Sequence, residues 1–182
     1  MKILPTLLLR LACALAAISP CAAETPWRAK LEQELPLLGH RNWIVVVDSA
    51  YPWQTAPGIE TVDTGADHID VVKAVLNTLT TAPHVRPIIY TDAELPFVPE
   101  ADARGVSLFR EMLGQTLLSH PAQSFPHEEI IAKLDSAGKT FHVLLLKTKL
   151  TLPYTSVFFQ LDCAYWDAEA EARLRSAMQG AK

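Results

Sequence analysis

The run Trp43-Ile44-Val45-Val46-Val47 contains no polar position. A short β-branched run that is apolar at every residue predicts a strand covered on both faces. Phe141 to Lys147 holds a similar run, apolar from Val143 to Leu146, and Ile88-Ile89-Tyr90 opens a third buried strand. Residues 59–63 and 156–161 complete the predicted strands. Between them the apolar spacing turns helical. Trp27, Leu31, Leu35 and Leu38 mark a short amphipathic helix over 26–38, and Ile69, Val72, Val75, Leu76 and Leu79 share one side of a helix over 66–79. Helical spacing returns over 101–119 and 127–137, and a polar helix begins near Asp167. "YPWQTAPG", Pro83 to Pro87 and Phe125-Pro126 punctuate the pattern. Strands alternating with helices predict an α/β fold, a layered sheet with helices on both faces.

Composition adds a compartment to this picture. The chain has 182 residues and a net charge of −4. Residues 1–23 read as a secretory signal peptide. They have a basic start at Lys2, an apolar stretch from Leu7 to Ile18 broken only by Arg10, and small residues placed for cleavage after Ala23. The stretch is too short and interrupted for a membrane span, so 24–182 is expected to be one secreted or periplasmic domain. A lipid on Cys21 is the less favoured reading, because Pro20 precedes it. Removing the leader takes Lys2 and Arg10, leaving 14 basic residues from the original 16 against 20 acidic ones. That acidic balance argues against nucleic acid as a partner. Of three cysteines only Cys163 remains, so no internal disulfide can form. Stability must come from the core or from association of copies.

The chemistry-bearing residues are few. His40 stands just before the Trp43–Val47 run and Asp48 at its carboxyl end, where open α/β sheets commonly bind ligands. A fully extended chain would separate the two by roughly 26 Å. One chain therefore cannot easily join them unless it folds back, whereas a neighbouring subunit could. In the alternative reading His40 caps the turn after Gly39, and Asp48 caps the segment that follows. "DHID", residues 67–70, mixes possible ligand types, but adjacent helical residues diverge, and a solvated helix start suits it better. There is no HExxH, paired CxxC, GxSxG, phosphate loop or GxGxxG, and serine or cysteine nucleophile schemes have no support.

Several segments in order carry a resemblance. "LGHRNWIVVVDSAYPW", "IETVDTGADHIDVVKAVLNTL", "HEEIIAKL" and "LLLKTKLTLPYTSVFF" together resemble the D-ribose pyranase and L-fucose mutarotase family, the RbsD/FucU-like proteins, over about residues 30–163. The resemblance implies an isomerase that needs no cofactor and interconverts anomers or ring forms of a free monosaccharide. It also implies a ring-shaped homo-oligomer with sites at subunit contacts. Carried over by position, His40 would be the catalytic proton donor. Asp48, His127, Tyr154, Thr155 and Ser156 would contact the sugar. The chemistry suits these types: ring opening needs one proton delivered to the ring oxygen and one removed from the anomeric hydroxyl, and histidine titrates in the right range for either. Two family positions differ here: its acid is Leu150 and its amide is Ser156. Those losses leave open an alternative, a non-catalytic monosaccharide- or small-ligand-binding protein on the same fold.

Overall fold

The computed structural model describes residues 25–180. The predicted leader, its cleavage after Ala23 and Cys21 lie outside the described residues. The strands are β1 (Trp43–Val47), β2 (Ile59–Asp63), β3 (Val85–Asp92), β4 (Ala122–Phe125), β5 (Val143–Lys147) and β6 (Val157–Cys163). The helices are α1 (Pro26–Glu34), α2 (His68–Thr80), α3 (Val106–Thr116), α4 (His127–Ala137) and α5 (Ala168–Gly180). Single 3₁₀ turns follow α1 and β3. Among the described residues no helix is long and apolar enough to cross a membrane.

The strands form one sheet in the order β2-β5-β1-β6-β3-β4. β1, β2 and β5 run parallel, as do β3 and β4. β6 alone is reversed, antiparallel to β1 on one side and β3 on the other. The carboxyl ends of five strands and the amino end of β6 therefore emerge together. That end of the sheet collects Asp48, Asp92, His127 and Tyr154, while the segment before β1, with His40, sits at the opposite end.

The apolar runs account for this layering. In β1, Ile44 and Val46 pack with residues of α1, α2 and α3, whereas Trp43, Val45 and Val47 pack with Ile130 and Leu134 of α4. β5 alternates likewise, Leu144 and Leu146 against Val143 and Leu145. All five residues of β1 are buried. Covering such side chains on both faces stabilises each by about 1.5–3 kcal/mol relative to exposure, which explains why no polar position interrupts the run.

Gly58 has a specific task at the entry to β2. A Cβ there would collide with the carbonyl oxygens of Phe141 and Gly138. Only glycine lets the chain enter β2 against the turn that precedes β5, and Gly58 exchanges backbone hydrogen bonds with Gly138 and Val143 there.

The structure departs from the sequence reading in three places. The helix expected over 101–119 is shorter, because 101–105 is a turn that ends on Gly105 in the left-handed region. Ala122–Phe125 is a strand that the sequence does not announce. Its side chains are largely exposed and carry no alternation, so its existence rests on backbone pairing with β3. The expected strand at Ile88-Ile89-Tyr90 extends from Val85 to Asp92, and its last residue bears on the site.

Candidate functional site

Two loops and the start of α4 at the carboxyl end of the sheet enclose a cleft of about 310 Å³, lined among others by Asp48, Tyr51, Gln54, His127, Ile131 and Tyr154. This volume is at the small end of the range for ligand sites.

The best-defined chemistry in the cleft is a histidine–carboxylate pair. His127 begins α4, directly after the edge strand β4. Its ring Nδ1 lies 3.0 Å from Oδ1 of Asp92, the last residue of β3. The Asp92 side chain is fully buried, while His127 keeps about a third of its side chain exposed. Burial pushes the Asp92 carboxyl up from the usual aspartate range. The hydrogen bond and charge of His127 pull the other way without cancelling the rise. An ionised Asp92 accepts the Nδ1–H, which fixes the ring orientation and leaves Nε2 as its outward nitrogen. Glu94 binds the other end of the residue: both its carboxylate oxygens accept from the His127 backbone N–H, at 3.0 and 3.1 Å. An acid at this helix start also complements the positive end of α4.

Tyr154 packs edge-on against the His127 ring, with centroids 5.6 Å apart. It holds a left-handed backbone, φ 57°, a conformation that costs a non-glycine residue about 1–2 kcal/mol. The loop that carries it is tied to the end of β1. Thr148 at the end of β5 donates its hydroxyl to the Val47 carbonyl at 2.9 Å, and Ser49 N–H reaches the Leu150 carbonyl at 2.8 Å. Below, the buried His68 lies 3.0 Å from the Thr148 hydroxyl through Nδ1. Burial drives the His68 ring down to about 4 from the ordinary 6.5, so it is neutral near pH 7.

Asp48 stands at the cleft wall. Its Oδ1 accepts from Ala50 N–H at 2.7 Å, so one oxygen does cap the following turn while the residue still lines the cleft. Tyr51 is buried beside it, and its hydroxyl is pushed up by burial first and then by the charges of Asp135, Asp92 and Asp48. Lys147 Nζ ties the loop down by donating to the Tyr51 carbonyl at 2.8 Å. Gln54 donates to Asp135 of α4 at 2.8 Å, bridging the loop to the helix.

The expected site residues divide into three groups. Asp48, His127 and Tyr154 meet in the cleft. Thr155 and Ser156, expected as sugar contacts, are buried behind Tyr154 and do not line it. The chain turns inward there to enter β6, and the Thr155 hydroxyl donates to the Leu152 carbonyl at 3.0 Å. His40 lies at the amino end of the sheet, its Nδ1 3.1 Å from Asp162 Oδ1. Within one chain it does not reach Asp48. Sequence reasoning missed Asp92, Tyr51 and Gln54. Asp92 carries the signal that singled out Asp48, an acid closing an apolar strand. The other two stand in a loop without periodicity.

No family model matches the sequence, and no curated protein matches it. Solved structures do. Bacillus subtilis RbsD, solved in complex with D-ribose, is 17% identical and superposes with a TM-score of 0.52 over 74% of this chain and 92% of its own. FucU from Bifidobacterium longum is 14% identical, with 74% and 94% covered and a TM-score of 0.49. The fucose mutarotase from Streptococcus pneumoniae, in complex with L-fucose, is 16% identical, with 75% and 91% covered and a TM-score of 0.47. At such identities the likeness is one of fold. The six-stranded mixed sheet, flanked by helices, has the RbsD/FucU-like fold.

Proposed function

We propose that this chain is an exported, cofactor-independent isomerase that interconverts anomers or ring forms of a free monosaccharide. The observation that carries the reading is the Asp92–His127 pair, presenting Nε2 at a small cleft beside Asp48 and Tyr154. The D-ribose bound to the RbsD structure supports the substrate class.

In this mechanism His127 Nε2 takes the proton of the anomeric hydroxyl. The bond between the anomeric carbon and the ring oxygen breaks, and the ring oxygen takes a proton from His40 of a neighbouring copy. The carbonyl turns, and the reverse steps close the ring on the other face or onto another hydroxyl. The free sugar and both histidines end with the protons they need for the next turnover. Asp92 holds the His127 ring and stabilises its imidazolium, as a buried carboxylate behind a histidine does. Asp48 orients a sugar hydroxyl with its second oxygen, and Tyr154 covers an apolar face of the ring. Because His40 and the cleft lie at opposite ends of the sheet, each copy offers one end to its neighbour. That head-to-tail contact is heterologous and closes into a ring.

The absence of the family's acid and amide, here Leu150 and Ser156, favours the second reading, binding without catalysis. Magnetisation-exchange NMR on ribose, fucose and glucose separates the two. The isomerase reading expects faster anomer or ring exchange with the mature protein. It also expects a loss of about 10²–10⁴-fold in His127→Gln, the usual contribution of a positioned acid–base group. Binding without enhanced exchange would establish the second reading instead.

A further inference from the structure

His40 is held by a structure of its own. It lies in the turn 39–42, which is pinned to β6 by Arg41 N–H donating to the Leu161 carbonyl at 2.9 Å and Leu161 N–H donating to the Asn42 carbonyl at 2.8 Å. Within the turn, Gly39 N–H reaches the Asn42 side-chain oxygen at 2.7 Å, and Asn42 N–H the Gly39 carbonyl at 3.0 Å. Arg41 adopts φ 76°. Among the described residues only Arg41 and Tyr154 are non-glycine residues with positive φ. One flanks His40 and the other touches His127. Strain of this kind, about 1–3 kcal/mol per residue, persists where the surroundings impose it and gathers at functional positions.

The side chain is held as firmly as the turn. Asp162 of β6 divides its carboxylate between two partners. Oδ2 accepts from Arg86 Nε and Nη2, at 3.1 and 2.8 Å, while Oδ1 faces His40 Nδ1 at 3.1 Å. Arg86 and Asp162 are direct cross-strand partners in the β3–β6 ladder, so sheet register sets their pairing. Both guanidinium donors converge on Oδ2, which anchors the carboxylate and leaves Oδ1 to His40. His40 remains more than half exposed, and so open a pair contributes at most about 1 kcal/mol to stability. Beyond the ring is an open hollow of about 630 Å³ flanked by Tyr165 and Trp166.

We infer that Asp162, paired with Arg86, is the positioning residue that binds His40 through its Nδ1–H, so that the protonated ring releases its Nε2 proton toward the sugar of the adjoining copy and is left as the Nδ1–H tautomer. This rests on the reading of His40 as the proton donor. The two ends of the sheet then carry matched devices: a carboxylate at the end of a ladder, a histidine bound through Nδ1, and a strained residue beside each. Asp92 performs this task for His127 from the interior, and Asp162 for His40 at the surface.

Nitrogen-15 NMR of the full mature chain, reading the tautomer of His40 above its titration range, tests the inference independently of activity. The wild type should show chiefly Nδ1–H. Asp162→Ala should shift the ring toward Nε2–H and slow sugar exchange on the order of 10-fold or more, part of what positioned acid–base groups supply. Asp162→Asn keeps an acceptor oxygen and should retain the tautomer. Arg86→Gln, which frees the carboxylate to rotate, should lower the Nδ1–H fraction by less than Asp162→Ala. A wild-type His40 in the Nε2–H form, or a tautomer unmoved in Asp162→Ala, overturns the inference. Wild-type protein that accelerates no sugar exchange while keeping the Nδ1–H signature would instead defeat the functional reading.

Discussion

Asp92 illustrates how a buried residue can work against the fold that carries it. Its folded-state ionisation lies above that of the unfolded chain because burial disfavours the charge. The sign follows: its contribution is most favourable below the usual aspartate range and is lost as pH rises through the raised value, so at neutral pH the carboxylate is carried at a cost. Asp92→Asn should therefore leave the melting temperature unchanged or slightly raised, while cutting sugar exchange at least 10-fold through loss of His127 orientation, part of the positioned acid–base contribution. Thermal melts beside exchange NMR check both halves. A large drop in melting temperature would mean that Asp92 is a structural partner instead. Tyr154 allows a similar separation. Asn tolerates the left-handed region, so Tyr154→Asn should keep the fold within about 1 kcal/mol and weaken sugar binding, as read by titration calorimetry.

Elements at the carboxyl end depend on packing that single substitutions can probe. Gly58→Ala places a methyl group against two carbonyl oxygens and should destabilise by about 1–3 kcal/mol, the usual penalty of overpacking, seen as a lower denaturant midpoint. Val46→Asp puts an unpaired charge in a strand covered on both faces and should prevent folding, with loss of the far-ultraviolet signal. His68 gives the loop over the cleft a pH dependence. Its folded value, about 4, lies below the ordinary 6.5. The unfolded chain binds the proton more readily, so stability declines as pH falls from about 6.5 to about 4, by roughly 3 kcal/mol at 1.36 kcal/mol per unit. Urea midpoints across that window should fall in the wild type and change less in His68→Gln.

The elements were legible where apolar periodicity ran long. β1, α2, α4 and β5 rest on unbroken or helically spaced apolar residues, and the structure has them within a few residues of the expected bounds. β4 was not legible, because Ala122–Phe125 is held by β3 and not by its own side chains. In the site, Asp48 stands out by type and position, whereas His127 is reached only through the family resemblance. The reversal of β6, which brings Tyr154 to the same end, is a matter of topology and leaves no mark on local spacing.

In the proposed isomerase the whole molecule would carry half a site at each end of one sheet. His127 and Asp48 lie at the carboxyl end, His40 with Asp162 and Arg86 at the amino end, and one chain cannot close the distance between them. Head-to-tail assembly would join them. Mixing two inactive variants tests this most directly. His40→Ala and His127→Ala should each lose sugar exchange alone. After co-refolding, roughly one contact in four would pair an intact His40 with an intact His127 if copies mix at random. Exchange should return to about that fraction of wild type. Mixed material that stays as inactive as its components, or a His40→Ala variant that keeps full activity as a monomer, would contradict it.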